Sequence, residues 1–263
     1  MPAYLDTIIA AHRAAAADDH RDPQALLESA LGLPEPRPFA DELAAGSAAD
    51  GLAVISEIKR RSPSKGDLDL LLDPALVAKE YASGGASCLS VLTDREFFGG
   101  SSDDLAAARA ACDRPVLRKD FTVSANDLCD ARLMGADAVL LIVAALTAEE
   151  LAEFLGVAGQ LSLDALVEVH DADELAIALD AGARLVGVNQ RDLRTFEVNH
   201  HLALDLAATF PSDVVSVAES GIRGSEDAGR LAASGYDAVL VGETLVKAGD
   251  RRAAVADLVG AGR

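Results

Sequence analysis

From residue 53 onward, short β-branched runs alternate with longer Ala/Leu-rich stretches whose apolar positions recur at helical spacing. The runs predict strands near 53–58, 87–92, 115–119, 137–143, 164–169, 184–189, 213–218 and 237–241. The stretches between them predict helices near 74–84, 101–112, 124–134, 147–159, 172–181, 200–209, 224–234 and 250–260. The strands are too continuously apolar for a sheet with one wet face, which suits parallel strands covered by helices. Eight strand–helix pairs predict an α/β fold, a closed (β/α)8 TIM barrel over 53–263. A doubly wound open sheet competes with it, but no G-x-G-x-x-G follows the first strand.

The pattern also repeats weakly at about fifty residues, the length of two βα units. Gly85, Gly135, Gly182 and Gly235 each close a predicted helix and lead into strands two, four, six and eight. Such glycines fit helix C-termini, where φ turns positive. Residues 1–52 stand outside the alternation. Leu5, Ile8 and Ile9 form an apolar stripe on a first helix that ends near Asp18-Asp19, and a Pro-rich segment from Pro34 to Pro38 links it to the barrel. Periodicity leaves open whether this extension caps one barrel end, caps the other, or hangs loose.

Six polar residues interrupt the apolar runs at or just past their ends: Glu57, Lys59, Lys119, Glu168, Asn189 and Glu219. Glu57 and Lys59 share parity with Ile55, Lys119 with Leu117, Glu168 with Leu166, Asn189 with Gly187 and Glu219 with Val217. Alternation therefore puts all six on one inward face. Any one of them reads equally well as a solvated charge at a loop entry. Six together, at the C-terminal strand ends where barrel loops build active sites, read as catalytic machinery.

Composition sharpens the two lysines. Of 23 basic residues only five are lysine, namely Lys59, Lys65, Lys79, Lys119 and Lys247. Arginine stays charged at working pH, whereas lysine can be tuned to exchange a proton or form a Schiff base. Ser220-Gly221 after strand seven and Gly242-Glu243 after strand eight, each just before a helix, predict a phosphate site of amides at helix N-termini. Ser62 and Ser64, flanking Pro63, add hydroxyl donors. His170, His200 and His201 make no metal-binding constellation, and Asp120 and Asp192 read as turn-stabilising.

A net charge of -20, from 43 acidic and 23 basic residues, excludes the basic face that nucleic acid requires. No apolar run approaches the ~18 residues of a membrane span, and the N-terminus lacks a basic stretch followed by an apolar core. Three cysteines, Cys88, Cys112 and Cys129, have neither metal-like nor redox-like spacing and read as reduced thiols of a cytoplasmic protein.

Five segments then carry a resemblance: Ser56-Glu57-Ile58-Lys59-Arg60-Arg61-Ser62-Pro63-Ser64-Lys65-Gly66, Leu117-Arg118-Lys119-Asp120-Phe121, Leu166-Val167-Glu168-Val169-His170, Gly187-Val188-Asn189-Gln190-Arg191-Asp192-Leu193 and Ala218-Glu219-Ser220-Gly221-Ile222. In this order, across residues 52–247, they resemble the indole-3-glycerol phosphate synthase family. The departures are conservative, such as Gln190 where a small polar residue is common. The resemblance implies a lyase of tryptophan biosynthesis, with 1-(2-carboxyphenylamino)-1-deoxyribulose 5-phosphate as substrate and no cofactor or metal. It implies a monomer or homodimer.

It also implies roles. Lys119 would be the general acid at the substrate carbonyl, and Lys59 would grip its carboxylate. Glu168 would assist proton transfer and loss of the hydroxyl, Asn189 would bond a substrate hydroxyl, and Glu57 and Glu219 would tune the lysines. Ser62, Ser220, Gly221, Gly242 and Glu243 would hold the phosphate. Phe98, Phe121, Leu140, Arg191 and Leu193 would line or order the pocket, and the extension of residues 1–52 would cover the mouth. The competing expectations are a Schiff-base aldolase or isomerase acting on another phosphosugar, and a barrel that binds a phosphorylated ligand without turning it over.

Overall fold

The eight apolar runs close into a ring. A computed structural model describes residues 4–62 and 66–263, so Pro63, Ser64 and Lys65 of the first signature segment lie outside the described residues. The strands are β1 (Ala53–Ile58), β2 (Cys88–Leu92), β3 (Val116–Lys119), β4 (Ala138–Ile142), β5 (Asp164–Val169), β6 (Leu185–Asn189), β7 (Val215–Glu219) and β8 (Ala238–Val241). Every neighbouring pair is parallel, and β1 pairs with both β8 and β2, which closes the barrel.

Strand alternation divides the core in two. Ile55, Leu117, Leu140, Leu166, Leu185, Val217 and Leu240 point inward and pack on one another. Val54, Leu89, Val139, Val167, Val186, Ala218 and Val239 point outward under the helices. Both faces of each strand are thus buried, which is why the runs are unbroken in the sequence.

Three helices precede the barrel: α1 (Tyr4–Ala17), α2 (Pro23–Leu31) and α3 (Phe39–Asp50). The Pro-rich stretch 34–38 joins α2 to α3 instead of joining the first helix to the barrel. The barrel helices are α4 (Pro74–Gly84), α5 (Ser102–Ala111), α6 (Ala125–Leu133), α7 (Ala148–Gln160), α8 (Ala172–Asp180), α9 (Leu202–Leu206), α10 (Ser225–Ala233), a single extra turn α11 (Glu243–Val246), and α12 (Arg251–Gly260). Capping sets their starts: the side chains of Asp73, Ser101, Ser124, Thr147, Asp171 and Asp250 each accept from a first-turn amide. Gly85, Gly135, Gly182 and Gly235 all have φ between 88° and 100°, the left-handed conformation that lets the chain leave a helix and enter a strand.

The extension runs along the barrel from one end to the other. At the N-terminal ends of the strands, Phe39 and Leu43 of α3 are fully buried with Ala53, Cys88, Leu117 and Ala138. Two carboxylates, the buried Asp137 and the partly buried Asp164, pin the backbone there. Asp137 accepts from the Arg37 amide at 2.8 Å and Asp164 from the Ala40 amide at 2.9 Å. At the other end Tyr4 of α1 sits edge-on against Phe97 and Phe196, with ring centroids 5.9 and 5.3 Å away. Arg13 forks onto Glu150 with two 2.9 Å hydrogen bonds. Packing therefore stops the barrel at both ends, by α3 below and by α1 beside the mouth.

Candidate active site

At the C-terminal ends of the strands lies a cavity of about 550 Å³, within the range typical of small-molecule sites. The sixteen residues to which the resemblance gives a role all line it: Glu57, Lys59, Ser62, Phe98, Lys119, Phe121, Leu140, Glu168, Asn189, Arg191, Leu193, Glu219, Ser220, Gly221, Gly242 and Glu243, while Ser64 lies outside the described residues. Tyr4, Leu5 and Ile8 of α1 complete one wall.

Register explains the convergence. Asn189 and Glu219 are direct cross-strand partners, Glu168 is paired with Gly187, and Leu92 with Lys119. Each polar side chain extends the inward row of its strand by one step past the last apolar layer. Lys119 Nζ donates to Glu168 Oε2 at 2.7 Å and to Glu219 Oε2 at 2.8 Å. Asn189 Nδ2 donates to Glu168 Oε1 at 3.0 Å, and the Arg191 amide donates to Asn189 Oδ1 at 3.0 Å. Across the mouth Lys59 donates to Glu57, and both pack against Gly242.

The Glu168 and Glu219 carboxylates are buried and Lys119 is largely so, and environment sets their charges. Burial alone pulls Lys119 toward the neutral amine, but the charges of Glu168, Glu219 and Glu57 outweigh it and hold the ammonium above the ordinary lysine range. Burial pushes Glu168 up, and Lys119 together with His170 pulls it below the ordinary carboxylate range. Glu219 goes the other way. Burial raises it, and of the charges around it Lys119 lowers it while Glu168 and Glu57 raise it. Its Oε1 is buried without a hydrogen-bond partner. Two adjacent carboxylates on one cation are thus driven apart, one firmly ionised and one ready to hold a proton.

The loops after β7 and β8 form the other end of the cavity. Ser220 and Gly221 have φ of 66° and 73°. Two consecutive left-handed residues, the first not a glycine, make a strained turn of the kind found at ligand sites. Gln190 Nε2 supports it by donating to the Ser220 carbonyl at 2.8 Å, and Thr244 Oγ1 ties the two loops together by donating to the Ile222 carbonyl at 2.7 Å. A β-carbon on Gly242 would overlap Glu57 Oε1, so the β8 loop comes this close only because residue 242 is glycine.

Phe98 and Phe121 lie 6.1 Å apart with rings tilted by 40°, forming an apolar slot beside Leu140 and Leu193. Next to it His12 of α1 contacts Asp94 at 3.0 Å and Asp120 at 3.9 Å. Their ligand atoms cluster closely enough for a cation, but the carboxylates already accept from the Phe97, Phe98 and Phe121 amides, from Thr93 and from Arg118. This cluster fastens α1 to the loops.

Several lining residues carried no signal in the sequence. Phe196 and Val198 reach the cavity from a loop whose conformation no periodicity predicts. Arg223 and Lys247 also line it, although Arg223 pairs with Asp227 and Lys247 with Glu243. His170 was visible within its motif and shares the parity of Glu168, beside which it stands just past the end of β5.

Comparison with known proteins agrees with this geometry. A family model described as indole-3-glycerol phosphate synthase matches residues 5–258. The chain is 56% identical over 212 residues to an indole-3-glycerol phosphate synthase of Kineococcus radiotolerans, covering 81% of this chain and 77% of that protein. It is 48% identical over 260 residues to the synthase of Mycolicibacterium vanbaalenii, covering 98% and 94%. A thiamine phosphate pyrophosphorylase from Pyrococcus furiosus shares the fold alone, with a TM-score of 0.62 at 16% identity over 82% of this chain and 97% of that one. The chain belongs to the indole-3-glycerol phosphate synthase family.

Proposed function

We propose that the protein converts 1-(2-carboxyphenylamino)-1-deoxyribulose 5-phosphate to indole-3-glycerol phosphate, carbon dioxide and water in tryptophan biosynthesis, acting in the cytoplasm. The observation that carries this reading is the Lys119 ammonium held between Glu168 and Glu219 in a barrel mouth large enough for a small-molecule substrate. Ring closure needs a proton delivered to the substrate carbonyl as the aromatic carbon attacks it. Lys119, charged at all working pH values, supplies that proton. Lys59, steered by Glu57, grips the anthranilate carboxylate that leaves as carbon dioxide once the new bond has formed. In the dehydration Lys59, released from the departed carboxylate, protonates the hydroxyl that leaves as water, and Glu168 takes up the proton lost from the neighbouring ring carbon, with Asn189 fixing both its carboxylate and a substrate hydroxyl.

Phosphate lies, in this reading, against Ser62 and the loop amides of Ser220, Gly221, Gly242 and Glu243, as in other barrels of this kind. Phe98, Phe121, Leu140 and Leu193 enclose the aromatic ring, Arg191 orders the β6 loop through the Phe196 carbonyl, and α1 covers the mouth. The steps are proton transfers and charge stabilisation, which these side chains can provide without a cofactor. A Schiff-base aldolase would instead need Lys119 as a neutral nucleophile, against the pull of two carboxylates within 2.8 Å.

The test is incubation of the protein with the carboxyphenylamino deoxyribulose phosphate while indole fluorescence is followed. A rise in fluorescence with release of carbon dioxide is expected. No turnover, or a borohydride-trapped adduct on Lys119, would overturn the reading.

A further inference from the structure

Behind Glu168, on the side away from Lys119, stands a partly buried histidine to which the reaction above gives no task. His170 is the first residue past β5, and its side chain is 15% exposed. Its backbone amide donates to Glu174 Oε2 at 2.7 Å, and its Nδ1 lies 3.1 Å from the same oxygen. Its Nε2 faces Glu168 Oε1 at 3.5 Å, an ion-pair separation that is too long for a good hydrogen bond.

The geometry decides the state of the ring. Glu174 Oε2 accepts from a backbone amide, so Nδ1 must carry a hydrogen to approach the same oxygen. On the other side Glu168 is an ionised carboxylate, an acceptor only. A neutral imidazole would turn the lone pair of Nε2 toward that carboxylate. An imidazolium turns an N–H toward it. Carboxylates on both faces therefore select the doubly protonated ring. Desolvation opposes the charge, but Glu168 and Glu174 together push the imidazole up to about 10. The other charged groups sharing its groove are Asp171, Asp192, Arg194 and Glu197, and Asp192 from the β6 loop also feels its field.

We infer that His170 is a positioning residue for Glu168: clamped by Glu174, its imidazolium is the fixed counter-charge of the carboxylate that exchanges protons with the substrate. This deepens the proposed function and rests on it. When Lys119 gives its proton to the carbonyl, Glu168 loses the cation on its Oε2 side. His170 keeps a cation on the Oε1 side, so Glu168 stays ionised and available as a base for the dehydration step. Glu174 serves only by fixing the orientation of the charged ring.

The test combines kinetics and spectroscopy. His170→Asn should lower kcat about tenfold with KM within about twofold, and move the acid limb of the kcat profile up by about one pH unit. Glu174→Gln, which frees the ring without touching Glu168, should shift both in the same direction by less. The double variant should be no worse than His170→Asn, since Glu174 acts through the ring. In the unaltered protein, nitrogen-15 NMR at pH 8 should show both imidazole nitrogens of His170 protonated. A neutral ring at pH 8, or an acid limb unmoved in both single variants, would overturn the inference. The NMR experiment needs no turnover. A protein that fails the indole assay yet shows a charged His170 has lost the proposed reaction, not the ion pair.

Discussion

Glu219 Oε1 occupies the space that a side chain on Gly187 would need: a β-carbon there would overlap that oxygen and lie 3.1 Å from the Glu219 carboxyl carbon. The two residues sit on adjacent strands, with Gly187 paired to Val217, two residues before Glu219. The missing side chain on β6 is thus what lets a second carboxylate reach Lys119. Gly187→Ala should push Glu219 off Lys119 and lower kcat by about tenfold or more, with a stability loss of about 1–3 kcal/mol from overpacking. Steady-state kinetics and a thermal melt check this. Unchanged kcat would mean that Glu219 is not needed where it stands.

Lys119 separates charge from acid function. Lys119→Ala removes the proton donor and strands two buried carboxylates, so turnover should fall by about 10³-fold and the melting temperature should drop. Lys119→Arg restores a cation that cannot release its proton, so the melting temperature should recover while turnover does not. Near-normal turnover in either variant would remove Lys119 from the chemistry.

Glu168→Gln keeps a hydrogen-bonding group of the same shape but cannot take up a proton. It should lower kcat by about 10²-fold while KM changes only a few-fold. A loss confined to KM would assign Glu168 to binding. Stability responds to pH with a definite sign. The folded protein holds Glu168 below its ordinary value, so its contribution is present above that value near 4.5 and is lost as pH falls through the depressed one.

His12 gives the opposite slope. Burial lowers its affinity for a proton, but the hydrogen bond to Asp94 and the charges of Asp120 and Asp94 raise it on balance above 6.5. A raised folded value means that the bond to Asp94 stabilises the seat of α1 fully below pH 6.5 and fades as pH rises through the folded value. Amide exchange in α1, corrected for its intrinsic pH dependence, should therefore show less protection at pH 9 than at pH 6. In His12→Gln that difference should disappear. Equal protection of the unaltered helix at both values would show that Tyr4 and Arg13 suffice to hold it.

Much of this was legible in the sequence because barrel strands are buried on both faces and alternate strictly. Parity alone placed Lys119, Glu168, Asn189 and Glu219 on one row, and the observed register brings them within hydrogen-bonding reach. The extension was less legible. α2 begins with Asp22 as N-cap and Pro23 at its first position, a start signal present in the sequence but masked by the proline-rich stretch that follows. α3 is rich in alanine and buries only Phe39 and Leu43, too few apolar positions to show a period. α11 is a single turn of four residues, shorter than any periodicity can reveal. His170 illustrates the deeper gap: it shares the parity of Glu168 on its own strand, but its clamp, Glu174, comes from the first turn of the next helix, which strand spacing does not encode.

The end-to-end path of the extension has a consequence for how the chain is made. Arg13 closes on Glu150, the Arg37 amide on Asp137 and the Ala40 amide on Asp164, separations of 137, 100 and 124 residues. The extension therefore cannot complete its contacts until about half the barrel has followed it. Helices α1 and α3 precede the barrel in the chain and finish docking only once β5 has been made.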